Sequence, residues 1–324
     1  MSVPRCLAIG EAMLRLRVSS GERLQDVRRL EVDVGGAELN AMIAATVAGL
    51  DTRLLTKLPS TPLGERVVRH AAEHGVEVFG PREPEGRLGT YYVDAGPPPR
   101  GTEVIYDRAD SSFAHLEPGE SPLEEALTDI DHVHVTGITF ALGEGPAEAA
   151  RELLSEARSR RIPVSYDINY RAKLWSPEEA QEATSRIMGS VTTLFTSPHD
   201  LASFFSAEQE APAAAKDVRD RFELDRVVVS EREEAKGWTR CRVTIVGDGV
   251  TRSDWVEAQV VDPIGAGDAL AGVALGELLQ GRDEHVAATH AAAAAALQQT
   301  LVGDALVLDR AELALTGADR QVRR

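Results

Sequence analysis

Short strand-like runs, largely apolar, alternate along the chain with stretches whose apolar residues recur every three or four positions. The runs fall at residues 6–9, 53–58, 133–135, 164–167, 194–196 and 227–229. Each is the length of a strand buried on both faces, since a half-exposed strand would alternate apolar and polar side chains. Helical spacing covers residues 39–50, 146–160 and 177–188. Strands alternating with helices in this way predict an α/β fold, a doubly wound and mostly parallel sheet with helices on both faces. Ligands of such sheets gather at the carboxyl ends of the strands.

Two stretches break the rhythm. MLRLRV (13–18) alternates apolar and charged residues and predicts a half-exposed strand. Residues 89–94 and 102–107 predict a hairpin around AGPPPRG. Strands inserted between βα units predict a small β lid beside the main sheet, drawn from about residues 12–18, 30–35 and 87–108. No repeat, linker or low-complexity segment asks for a second domain, so residues 1–324 are read as one.

Composition narrows the function. With 324 residues, 43% of them hydrophobic, the chain can bury a full core. The formal net charge of −17 argues against nucleic acid and anionic membrane as partners. An acidic protein that binds an anion must gather positive charge locally, so single arginines in unusual places stand out. Cys6 and Cys241 are the only cysteines, which leaves no disulfide framework and no Cys-rich zinc site. The N-terminus lacks a signal peptide's apolar core and no run has membrane length, so a cytoplasmic location is expected.

The segment VVDPIGAGDALAGVALGELL (260–279) carries the chemistry. A strand ends, the chain turns through two glycines, and Asp268 sits in the first turn of an apolar helix whose leading N–H groups have no internal acceptor. Asp268 can be a helix cap. It can equally stand beside bare amides of the Gly265–Gly267 loop that face an anion. A cap accounts for Asp268 but not for Asp262, Pro263 and both glycines together. Leu270 occupies the third glycine's place of a dinucleotide fingerprint, and no P-loop sequence is present.

DPIGAGDAL resembles the C-terminal signature of the ribokinase (phosphofructokinase-B) family of carbohydrate kinases, D-[TP]-x-G-A-G-D. The resemblance implies a ribokinase-like fold and ATP, with Mg²⁺, as phosphoryl donor. It implies Asp268 as the base that accepts the sugar hydroxyl's proton, and the amides of Gly265, Ala266 and Gly267 as an anion hole. VGGAELNAMIAATVAGL (34–50) resembles the family's N-terminal glycine motif, which implies that Gly35 and Gly36 admit the sugar and that Asn40 bonds its hydroxyls. VSYDINYRAKLWSPEEA (164–180), with HVTGITFAL (134–142), resembles the 2-keto-3-deoxygluconate kinase branch, whose Asn-Tyr-Arg is here Asn169-Tyr170-Arg171. That likeness implies substrate contacts from Ile138 and Arg171, and from Tyr91, Tyr106 and Arg108 on the lid. Tyr106 and Arg108 lie two apart, hence on one face of a strand, and a hydroxyl beside a guanidinium suits a carboxylate.

The reaction so implied is transfer of the γ-phosphoryl of ATP to the terminal 6-hydroxyl of an acidic keto-deoxy sugar, 2-keto-3-deoxygluconate first. A sister kinase of another acid sugar or ketose, and a sugar-binding pseudokinase, are the alternatives. Family likeness also implies a homodimer through the lid. The nucleotide end departs from the pattern. Ser197-Pro198-His199-Asp200 stands where many relatives have Asn-x-x-Glu, so Ser197 is expected beside the nucleotide and Asp200 as a weak metal contact through water. In VVVSEREEAKGW (227–238), Gly237 is read as one glycine of a nucleotide-facing pair and Glu234 as replacing the other, turned away from the phosphates. Residues 289–299 are expected on the adenine side, with His290 near the base.

Overall fold

The computed structural model describes residues 3–314 apart from 20, 97–99, 207–209 and 236. The six runs pair as parallel strands in the order Asp51–Leu55, Arg5–Ile9, His132–Thr136, Val164–Asp167, Thr193–Thr196 and Arg226–Ala235, and Val76–Phe79, which the sequence reading did not include, pairs parallel outside Asp51–Leu55. An antiparallel edge follows: Trp238–Val246 pairs with Arg226–Ala235 and carries Val250–Arg252 and Val256–Gln259. The apolar run at 227–229 is thus only the inner half of a longer strand. Its outer half is polar and exposed, and it is held by ladder bonds to the returning strand rather than by burial.

The lid is a four-stranded sheet in the order Glu31–Gly35, Met13–Arg17, Thr90–Ala95 and Thr102–Asp107. The prolines at the tip of its hairpin, 97–99, lie outside the described residues. Alternation along the strands sends Arg15, Tyr91 and Tyr106 in register to one face. Val32, Leu16, Tyr92 and Ile105 line up across the other.

The helix Ala266–Leu279 is buried nearly all round because it lies between the helices Ala37–Val47 and Glu284–Gln298. Small residues allow the approach. A Cβ on Gly272 would stand 2.1 Å from the carbonyl oxygen of Ala41, and one on Gly276 would stand 2.3 Å from Ala48 Cβ. This tight pairing brings Asn40 of one helix against Asp268 of the other. Among the described residues no helix is long and apolar enough to cross a membrane.

Two histidines are buried on the central strand His132–Thr136. Neither ring nitrogen of His132 has a hydrogen-bond partner among the described residues, and burial pushes its pKa from 6.5 down to about 4. Between those values the unfolded chain binds a proton that the folded chain refuses, so this histidine costs stability as pH falls through that window. His132→Leu should therefore be more stable than the parent at neutral pH, where the unpaired nitrogens are already a cost. The gap should widen by roughly 1–2 kcal/mol at about pH 5. Urea unfolding of both proteins at the two pH values measures it, and a gap independent of pH would contradict the assignment.

Candidate active site

The turn before the helix Ala266–Leu279 is set by Gly265, which adopts φ 84°, in the left-handed region. No larger residue fits there, because a Cβ would lie 2.2 Å from the carbonyl oxygen of Asp304. The helix has no side-chain cap. No acceptor among the described residues takes the N–H groups of Ala266 and Gly267, which stand at a dipole end that favours negative charge.

Asp268 is not the cap. Its carboxylate accepts the Asn40 amide at 2.9 Å on one oxygen and the Asn169 amide at 3.3 Å on the other. Asn169 is itself held at φ 40°, with its backbone N–H on Asp167 Oδ1 at 3.1 Å. Two amides from two other elements thus aim one carboxylate. Burial raises its pKa, opposed by Asn40, Arg171 and Asn169.

Two cavities, each of about 450 Å³, meet at this carboxylate. One lies under the lid and is lined by Gly36, Asn40, Tyr91, Tyr106, Arg108 and Ile138. The other runs along the strand ends and is lined by Asp167, Ser197, Asp200, Ser230, Arg232 and the Gly265–Asp268 turn. Arg171 lines both. Beyond the second cavity a further space of about 560 Å³ lies between His199, Arg232, Trp255, Leu270 and Ala295. The second cavity is acidic: burial, then Asp268 and Asp200, push Asp167 up to about 8. Burial also raises Asp200, and Arg171 opposes the rise at Asp167, Asp200 and Asp268. No ion pair closer than 4.0 Å engages Arg171 among the described residues, so its charge serves the cavities.

Several expected residues sit differently from their sequence reading. Gly35 does not line the lid cavity. It makes room for the Tyr91 hydroxyl and Asp304, each within 2.5 Å of where its Cβ would be. Tyr91 presents its ring to the cavity, but its hydroxyl donates to Asp304. Arg108 lines the cavity, yet Nε and Nη2 both donate to Glu11, whose other oxygen takes the Ser111 hydroxyl at 2.5 Å. Gly237 does not reach the cavities. It is the φ 83° turn residue of the hairpin, a position set by the ladder up to the Ala235–Trp238 pair. His290 is a further correction: it bonds the buried Glu277 at 2.9 Å, in a cluster with Arg310, and lines none of the three cavities.

Ser197 and Asp200 do line the second cavity and cap one another at the start of the helix Pro198–Phe205. Glu234 pairs with Arg232 at 2.9 Å and faces none of the cavities. Sequence reasoning missed Asp167, Ser230, Arg232 and Glu11. Asp167 and Ser230 were legible as residues at or just past the carboxyl ends of predicted strands. Glu11 carries no local signal.

A doubly wound sheet with a β lid, a helix-terminal anion hole and a buried carboxylate facing a lidded cavity define a kinase of small polar molecules. The family model described as pfkB family carbohydrate kinase matches residues 3–309, and the chain belongs to that family. It is 35% identical over 320 residues to the 2-dehydro-3-deoxygalactonokinase of Haloferax volcanii, covering 98% of each chain. It is 29% identical to the 2-dehydro-3-deoxygluconokinase of Thermoproteus tenax, over 92% of this chain and 89% of that one. The crystal structure of 2-dehydro-3-deoxygluconokinase from Thermotoga maritima superposes with a TM-score of 0.92 at 30% identity, covering 97% and 98% of the two chains. As a member of that family the chain is a carbohydrate kinase, similar in sequence and structure to 2-dehydro-3-deoxygluconokinases.

Asp268→Asn separates the roles of that carboxylate. Because Asp268 does not cap the helix and its charge is disfavoured by burial, the variant should unfold at an equal or higher temperature at neutral pH. The advantage should shrink as pH falls and the parent's carboxyl protonates. Its kcat should drop roughly 10²–10⁴-fold, the contribution of a positioned base. A folded variant with parental kcat would remove Asp268 from the chemistry.

Proposed function

We propose that this kinase transfers the γ-phosphoryl of ATP to the terminal 6-hydroxyl of a 2-keto-3-deoxy acid sugar seated under the lid. The observation that carries the reading is the position of Asp268, at the one junction of a lidded cavity and a cavity roofed by bare helix-terminal amides. The sugar's terminal hydroxyl reaches Asp268, which takes its proton. Asn40 and Asn169 hold the carboxylate's orientation. A carboxylate is a weak base, and it suffices because the transition state is loose and the proton leaves late. The amides of Ala266 and Gly267, with Gly265 shaping the turn, take up the charge on the transferring group. Arg171 adds a cation that both cavities share.

On the donor side, Ser197, Ser230 and Arg232 accompany the phosphates, and the space beside Trp255 and Ala295 takes the base. The magnesium ion that the family implies fits this cleft. Asp167 and Asp200 line it, and burial, then the neighbouring Asp268 and Asp200, raise Asp167 to about 8, so a cation placed there would favour the ionised carboxylates. Among the described residues no group of three or more His, Cys, Asp or Glu side chains is placed to hold a metal ion. When bound, such an ion neutralises phosphate charge.

For the acceptor, Tyr106, Arg108 and Lys173 line the lid cavity, and their chemistry suits a carboxylate. Glu11 already neutralises two of the Arg108 donors, so the remaining nitrogen and the Tyr106 hydroxyl make the contact. The names of the relatives favour the galacto and gluco epimers of a 2-dehydro-3-deoxy acid, the galacto form belonging to the more similar one. The outer face of the lid supports a homodimer: Val32, Leu16, Tyr92 and Ile105 form one cross-strand row, with Val32 37% and Ile105 47% exposed.

Phosphoryl transfer from ATP to both epimers and to a neutral ketose tests the substrate. The acids should be strongly preferred, and equal use of the ketose would refute the assignment. Arg108→Gln alone strands Glu11, so Glu11→Gln is combined with it. The double variant should lose roughly ten- to a hundredfold in kcat/KM for the acid while its KM for ATP holds. Equal losses on acid and ketose would make Arg108 purely structural. Ile105→Glu should convert the dimer to monomers in sedimentation, and an unchanged assembly would rule out the lid as the interface.

A further inference from the structure

Arg15 is the largest fully buried side chain, 1% exposed, although it is charged and lies on the lid strand Met13–Arg17. Its two terminal nitrogens donate to different carboxylates, Nη2 to Asp262 and Nη1 to Asp304. Each carboxylate belongs to a loop that shapes the anion hole. Asp262 opens the glycine turn and accepts the N–H of Ile264 at 3.2 Å and the N–H of Gly303 at 3.2 Å. Asp304 supplies the carbonyl against which Gly265 is packed, and its carboxylate takes the Tyr91 hydroxyl from the neighbouring lid strand. Gln298 spans the same two loops, donating to the Gly303 carbonyl at 2.7 Å and to the Ile264 carbonyl at 3.4 Å. Asp304 also lines the sugar cavity.

We propose that Arg15 is a positioning residue for phosphoryl transfer: its guanidinium bridges the lid to the two loops that set the Gly265 turn, and so fixes where the anion-hole amides point. A planar fork bonds the two carboxylates through separate nitrogens in a fixed geometry, which a point charge does not reproduce. The arrangement is not the one that packing alone would select, since Nε of Arg15 is buried without an acceptor. The lid thereby does more than cover the sugar. It carries the cation that holds the phosphate-binding turn in shape, and the two halves of the reaction share one brace.

The proposal rests on the kinase reading above, which parental turnover of ATP with an acid sugar establishes independently of Arg15. Full-length Arg15→Ala is assayed with and without millimolar guanidinium chloride, with sodium chloride at equal ionic strength as control. We expect kcat to fall roughly 10- to 100-fold, the cost of a misplaced catalytic group, with the KM for ATP near the parental value. Guanidinium, and not sodium, should restore part of kcat. A folded variant with parental kcat, or a loss that guanidinium does not relieve, overturns the proposal. Should Arg15→Ala not fold, Arg15→Lys decides. Lysine keeps the charge between Asp262 and Asp304 but lacks the rigid fork that holds their relative positions, so a folded protein with lowered kcat is expected. Parental kcat, or failure to fold there too, assigns Arg15 a purely structural role.

Discussion

The structure depends on one buried cation between two carboxylates, Arg15 with Asp262 and Asp304. Removing a guanidinium from water is costly, and only its two partners and their own hydrogen bonds make the burial tolerable. Breaking such a pair from one side costs ~3–5 kcal/mol, because the partner charge is left uncompensated. The three groups come from residues 15, 262 and 304, far apart in the chain, so the contact can exist only once the lid, the glycine turn and the last loop are assembled. It fixes the lid's seat and the back wall of the anion hole together.

Around that brace the site resolves a conflict of charge. The chain carries a net charge of −17 and yet binds an anionic donor, and by our reading an anionic acceptor too. The solution is local. In our proposal the helix-terminal amides and Arg171 meet the phosphoryl group, and Arg108, whose Nε and Nη2 are engaged by Glu11, meets the sugar's acid group. Asp167, Asp200 and Asp268 line the donor cavity together, and burial raises all three, so by the same proposal a cation accompanying the donor would relieve their crowding. Dense packing supports the arrangement from behind. The glycine and alanine faces of the helices Ala266–Leu279 and Ala37–Val47 bring Asn40 within 2.9 Å of the Asp268 carboxylate.

What could be read from the chain follows the range of the forces involved. The inner strands were legible because burial on both faces writes a continuous apolar run, and Gly265 and Asp268 because a tight turn into a helix demands that local pattern. The outer half of Arg226–Ala235 was not, since ladder hydrogen bonds to Trp238–Val246 hold it and backbone bonds leave no apolar signature. The same hairpin explains the misplacement of Gly237: a lone glycine reads alike in a turn and beside a phosphate. His290 failed for a similar reason. Its helix and position were foreseen, but which way a helix face turns depends on its neighbours, and here it turns to Glu277 and Arg310.

By itself the sequence determined the fold class, the strand-to-helix turn and the residue types of the chemistry, because each is imposed by local geometry or by the alternation of burial. Tertiary structure alone decided who pairs with whom. That Asp268 is aimed by Asn40 and Asn169 rather than capping its helix, that Arg108 meets Glu11, and that Arg15 lies buried between Asp262 and Asp304 are outcomes of long-range closure. Charges on a surface strand and charges in a sealed hub are spelled with the same letters, and only the packing of the lid onto the domain removes the water that tells them apart.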